Sequence, residues 1–341
     1  MFIHKPERGV MRVSNKRRAF TGIVFIALTA ISVVVHSQSS RSVTEAMVDE
    51  WMTDLSNWGR WGSDDELGTL NLITSEKRRA ALALATAGVS VSLSHNYLTE
   101  RAADATSPIG REMLGPDRPG PFRSDRYTFA YHGYAHSHMD SLCHMMHDGR
   151  MYNGYVRDEE VTPAGCAKLA IINFKQGIVT RGILMDIARL KGVDYLDPGT
   201  PIYVDDLEAW ERESGVRVEP GDIVFVRSGR WARRADVGAW ATSEQASGLH
   251  ASVAPWLRER GVAMLGGDGT NDVMPSGVDG VTQPIHQLTI VAMGMPLFDN
   301  LDLEAVAAEA ARQNRWEFLL VAAPLAMDGG TGSPLNPLAI F

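Results

Sequence analysis

Five of the ten histidines in this 341-residue chain fall between positions 132 and 147 (His132, His136, His138, His144 and His147), within the run HGYAHSHMDSLCHMMHDGRMYNG at 132–154. Any fold must accommodate that concentration, and its spacing restricts how. On an extended strand successive side chains point to opposite faces, so His136, His138 and Asp140 share one face. Two imidazoles and a carboxylate converging on one point form a ligand set for Zn²⁺ or Mn²⁺, and three protein ligands leave a position for water. His144 follows after a short turn, within reach as a fourth ligand or as a base beside that water. A helix is the poorer host. No Glu follows His132 as the zinc-protease helix pattern requires, and Gly133, Ser137 and Ser141 are weak helix formers. A lone histidine is more often a surface or satisfied core residue than a ligand, but His-x-His-x-Asp with another His four residues on reverses that balance. The first ligand stays open between His136 and His132.

The same run resembles the signature of the cyclase, or kynurenine formamidase-like, metal hydrolases, His-x-Gly-Thr-His-x-Asp-x-Pro-x-His. His138, Asp140 and His144 match its last three functional positions, and Ser137 stands at its Thr. Tyr134, His136 and Leu142 replace its first His, its Gly and its Pro. Trp58, Trp61, MYNG at 151–154 and GGTGSP at 329–334 are similar to a longer bacterial branch of that family, with the likeness spanning residues 50–341. The resemblance implies an α/β chain with a single three-layer β/β/α domain, a barrel-like sheet core, and assembly as a homodimer or homotetramer. It also implies a late His and carboxylate completing the site, for which His286 and Asp299 are the counterparts, Asp299 in place of a Glu. His144, His286 and Asp299 would then carry proton transfer around a metal on His136, His138 and Asp140. The implied activity is hydrolysis of a small amide, cyclic amide or imide, or lactone, nominally arylformamidase-like and so tied to tryptophan breakdown. The rival is an exported metal-binding protein without catalysis, which would have no use for extra proton-transfer groups. A serine hydrolase ranks below both, because no Gly-x-Ser-x-Gly elbow is present.

Residues 1–37 read as an export signal ahead of a hydrolase domain at 38–341: Lys16, Arg17 and Arg18 precede an uncharged run at 19–35, and Val35, His36 and Ser37 offer a small-residue cleavage site. The run is short for a membrane span, so periplasmic or secreted placement is expected before an N-terminal anchor. Removing that segment takes the net charge from −8 to about −13, which argues against nucleic acid as a partner and leaves a small-molecule substrate. Cys143 and Cys166 are the only cysteines, too few for a disulfide framework, and two free buried thiols are expected.

Along the chain, apolar spacing predicts helices over 43–55, 75–87, 205–214, 249–260 and 302–312, and strands over 89–93, 169–174, 181–187, 223–226, 262–265 and 316–323. The Pro- and Gly-rich stretch at 102–124 reads as a loop placed to act as a lid. Candidate pocket residues are Trp61, His250 and Asp268, the last on a Gly-rich exit loop whose role is read first as a structural turn.

Overall fold

The structure, a computed structural model, describes residues 42–115, 117 and 119–341, so the expected export segment lies outside the described residues. The predicted apolar runs supply most of a nine-stranded mixed sheet: β1 (Ser90–Ser92), β2 (His138–Asp140), β3 (Ile178–Asp186), β4 (Ile223–Arg227), β5 (Met264–Gly267), β6 (Leu297–Asp299), β7 (Glu317–Ala322), β8 (Gly332–Pro334) and β9 (Leu338–Ile340). Their spatial order is β1-β9-β7-β3-β4-β5-β6-β2-β8. The central strands β3, β4, β5 and β6 are parallel, with antiparallel β7 beyond β3 and antiparallel β2 beyond β6. Central parallel strands are covered on both faces, which is why β4 reads IVFVR, all five residues buried, instead of alternating.

Aromatic rings fill the sheet interior where glycine leaves room. Gly266 on β5 pairs with Phe225 on one side and Phe298 on the other, and those two rings stack at 6.0 Å. Gly182 on β3 pairs with Phe318, whose ring occupies the space a Cβ at 182 would need. Each such buried ring contributes about 1.5–3 kcal/mol by removal from water. Helices Ser75–Leu82 and Val204–Ser214 pack against β3. Thr74 caps the first by accepting from Lys77 N at 3.1 Å, and left-handed Gly215 ends the second. Among the described residues no helix is long and apolar enough to cross a membrane.

Three expectations are corrected. Residues 169–174 are buried, but Leu169 takes a left-handed φ of 63° and Ile171–Phe174 is a 3₁₀ turn, held by Glu66 accepting from Leu169 N at 2.7 Å. Burial alone does not separate a short apolar strand from such a turn. The 102–124 stretch is not structureless: Gly110–Leu114 pairs with Ser124–Thr128 as an exposed antiparallel hairpin. Cys143 and Cys166 are not free thiols but form a disulfide. The antiparallel pair Val161–Thr162 and Gly165–Cys166 brings Cys166 back toward the turn after β2.

Candidate metal centre

The pairing of β6 with β2 sets Asp299 opposite His138, so two residues 161 positions apart become cross-strand neighbours. His138 Nε2 lies 3.4 Å from Asp140 Oδ1 and 3.9 Å from Asp299 Oδ2. His132, ahead of the strand, folds back to place Nδ1 3.0 Å from Asp140 Oδ1. His286 closes the group, its Nε2 3.3 Å from Asp299 Oδ2 and 3.7 Å from Asp140 Oδ2. It sits in the short helix Pro284–His286, which continues as a π-helix over Gln287–Met293, a widened turn common at functional sites. Two overlapping donor sets result, His132–His138–Asp140 and Asp140–His286–Asp299, sharing Asp140.

Each imidazole is turned by a partner on its far side. His138 Nδ1–H donates to His136 O at 2.7 Å, and His286 Nδ1–H to Asp272 Oδ2 at 2.6 Å. His132 Nε2 bonds Thr331 Oγ1 at 2.9 Å. The remaining nitrogen of each ring therefore faces the centre, the arrangement that fixes ring orientation and tautomer in metal sites. Asn271 Nδ2 donates to Asp299 Oδ1 at 2.6 Å, orienting that carboxylate too.

The residues fit a divalent cation on one plain test. Asp140 is 1% exposed, and its oxygens are approached at 3.0–3.9 Å by the imidazole nitrogens of His132, His138, His286 and His144 without a hydrogen bond of good geometry at either one. A buried ionised carboxylate without hydrogen bonds is costly unless a cation is beside it. The electrostatics agree in sign. Burial opposes ionisation of Asp140, but His144, His132 and His138 hold it well below the usual carboxylate range. Burial opposes charge on His286, but Asp299 and Asp272 raise its pKa well above the ordinary value. The cluster attracts positive charge.

His144 stands beside this group, its Nε2 3.9 Å from Asp140 Oδ2 and its ring stacked on His132 at 3.9 Å. His132, together with His136, Ser107 and Thr242, also lines a cavity of about 240 Å³. A larger hollow of about 760 Å³, lined by Asp194, Tyr195, Asp236 and Glu304, includes none of the cluster residues.

The sequence model of the Cyclase family matches residues 84–271, more than half of the chain. The chain belongs to the cyclase family. A solved structure described as a novel cyclase is 29% identical, covers 84% of this chain and 98% of its own, and superposes with a TM-score of 0.77. Isatin hydrolase A from Ralstonia solanacearum is 22% identical, with 76% of this chain and 96% of that one covered and a TM-score of 0.54. An isatin hydrolase bound to the product analogue thioisatinate is 18% identical, with 79% and 99% covered and a TM-score of 0.54. These likenesses establish the layered α/β cyclase fold expected from the sequence. No curated protein matches the chain in sequence.

In this cyclase-family chain, His138, Asp140, His286 and Asp299 come together. His286 and Asp299 stand among the converging donors, not only as proton-transfer groups. His136 does not join them: β2 begins at His138, so the assumed alternation does not extend back to 136, and His136 Nε2 bonds Ser107 O at 3.1 Å. His132 takes that place.

The pocket candidates have local partners. Asp268 accepts from the backbone N–H groups of Ser228, Gly229 and Arg230. His250 caps the turn Ala251–Val253 by accepting from Ser252 N at 3.2 Å. Trp61 carries the Arg60 guanidinium 4.7 Å from its ring centre. Sequence reasoning missed Asp272, Asn271 and Thr331, although the loop GGDGTND and the GGTGSP run that carry them were both conspicuous.

Proposed function

We propose that this chain is a metal-dependent hydrolase acting on a small amide, cyclic amide or imide, or lactone. Arylformamide-type and isatin-type carbonyl compounds are the candidate substrates. The observation that carries this reading is the buried Asp140, without a well-formed hydrogen bond at either oxygen, at the meeting point of three imidazoles and a second carboxylate. A Zn²⁺ or Mn²⁺ ion held by His132, His138, Asp140, His286 and Asp299 would supply Lewis acidity toward a carbonyl oxygen and acidify water.

The chain's own groups do the rest. His144, outside the two donor sets yet beside Asp140, takes the proton of the attacking water and returns it to the departing nitrogen or oxygen. Asp272 and Thr331 hold the rings of His286 and His132 in place through the cycle. The cavity beside His132 gives the substrate a seat, which a storage site would not need. The fold shared with isatin hydrolases supports a cyclic amide as substrate. The Cys143–Cys166 disulfide supports an oxidising, extracytoplasmic location in line with the export reading of 1–37.

The test is turnover of isatin, N-formylkynurenine and a set of small lactones by the purified chain before and after chelation. Chelator-sensitive hydrolysis of one of these is expected, restored by Zn²⁺ or Mn²⁺. Tightly held metal with no turnover across the set would favour a non-catalytic metal-binding protein.

A further inference from the structure

Three imidazoles face the centre, and what stands behind each one differs. His138 Nδ1 is backed by the His136 carbonyl and His286 Nδ1 by the Asp272 carboxylate. Both partners only accept, so Nδ1 carries a proton in each ring and Nε2 is the nitrogen left to face the centre. His132 is turned the other way, with Nδ1 3.0 Å from Asp140 Oδ1 and Nε2 2.9 Å from Thr331 Oγ1. A hydroxyl both gives and receives, so Thr331 alone does not settle which nitrogen of His132 carries the proton. The wrong choice closes the site, because an N–H on Nδ1 would donate to Asp140 and leave no lone pair there for a cation.

Tyr131 settles it. Its phenol donates to Gly332 O at 2.8 Å, and the Thr331 side chain is its second hydrogen-bond partner. Burial pushes the phenol's pKa up, so its single proton stays in place. A carbonyl only accepts, so that proton goes to Gly332 and the phenol oxygen accepts from Thr331. The one hydroxyl proton of Thr331 is then committed, and toward His132 Thr331 can only accept. The proton of a neutral His132 is therefore held on Nε2, and Nδ1 is bare. Backbone pairing keeps this row in register with the centre. Gly332 pairs with Asp140 across β8 and β2, and Thr331 O accepts from Ser141 N at 3.0 Å and from Ser141 Oγ at 2.9 Å. The Tyr131 ring also lies against His132, the ring centres 4.6 Å apart.

We propose that Tyr131 is a positioning residue for the metal centre: acting through Thr331, it holds the His132 proton on Nε2 and so makes Nδ1 the ligand atom. The proposal rests on the metal-centre reading and adds to it a residue outside both donor sets.

The experiment joins nitrogen NMR of isotope-labelled histidines in the metal-free full chain, in mildly alkaline buffer, with competition titrations of Zn²⁺. Wild type should show His132 protonated at Nε2 and bare at Nδ1. Tyr131→Phe keeps the ring and removes the hydroxyl, so part of His132 should shift to the Nδ1–H form and Zn²⁺ affinity should fall about tenfold, the low end of the loss seen when a partner behind a metal-bound histidine is removed. Thr331→Val should fall at least as far, and Thr331→Ser, which keeps the hydroxyl, should bind as wild type does. In the Thr331→Val background Tyr131→Phe should cost nothing further, since its effect travels through Thr331. A merely structural role would instead give losses that add. The wild-type NMR and the two Thr331 variants keep the test open if Tyr131→Phe folds poorly. His132 found as Nδ1–H in the wild type, unchanged affinity in a folded Tyr131→Phe, additive losses in the double variant, or a Thr331→Ser as weak as Thr331→Val would each overturn the positioning role while leaving the metal centre standing. A wild type that binds no Zn²⁺ would overturn both.

Discussion

Asp140 is the residue on which both donor sets depend, a buried carboxylate ringed by imidazole nitrogens. His138→Ala and Asp140→Ala should each lose metal and activity together, whereas His144→Ala should keep metal and lose most turnover, by metal analysis and initial rates. If His144→Ala stripped the metal, the assignment of His144 as proton carrier would be wrong. Asp272→Asn replaces the acceptor that fixes the His286 tautomer, so metal affinity should fall about 10–100-fold in a competition titration while the fold persists. His138, Asp140 and His144 were legible from their spacing, and His286 and Asp299 from the family pattern. The choice between His132 and His136 was not legible. It is made by contacts from far along the chain: Asn300 Nδ2 donates to Gly133 O at 2.7 Å, Arg230 donates to Tyr134 O, and Thr331 takes His132 Nε2. No local rule points to these partners.

At the scale of elements, short segments from across the chain build the centre. β2 has three residues and is held between β6 and β8. A Cβ at Gly332 on β8 would collide with Met139 O and press on the His132 ring at 3.0 Å, so the GGTGSP run exists to let this strand pass close. The disulfide anchors the next turn: Cys143 precedes His144, and its partner lies 23 residues on. Replacing both cysteines by serine should lower stability by about 2–4 kcal/mol in denaturant titration, with His144-dependent turnover falling more than metal content. An unchanged midpoint would show that the bridge does not hold this region. Strands such as β4 could be read from sequence because burial on both faces writes an unbroken apolar run. The 110–128 hairpin could not, since its strands are exposed and carry no such pattern.

Across the whole molecule, a ligand set drawn from β2, β6, the segment before β2 and the helix at Pro284–His286 couples metal binding to the fold. Acid stability has a contribution elsewhere, at Glu66. Burial opposes its ionisation, but the Leu169 N–H, Lys168 and Asn173 hold its pKa below the ordinary value of 4.5. A carboxylate with a lowered folded-state pKa stabilises above its unfolded value and loses that contribution as pH falls through the folded one. Glu66→Gln should therefore be less stable than wild type at neutral pH, with the difference vanishing below Glu66's lowered pKa. A difference independent of pH would remove charge from that explanation.

The most direct test of the central claim is the metal content of the purified chain by elemental analysis, measured for the wild type, Asp140→Asn and His136→Gln after reconstitution with Zn²⁺ or Mn²⁺ and dialysis. The wild type and His136→Gln should retain tightly held divalent metal, and Asp140→Asn should lose it. A well-folded wild type that holds no metal after reconstitution, or an Asp140→Asn variant that holds as much as wild type, would contradict the account.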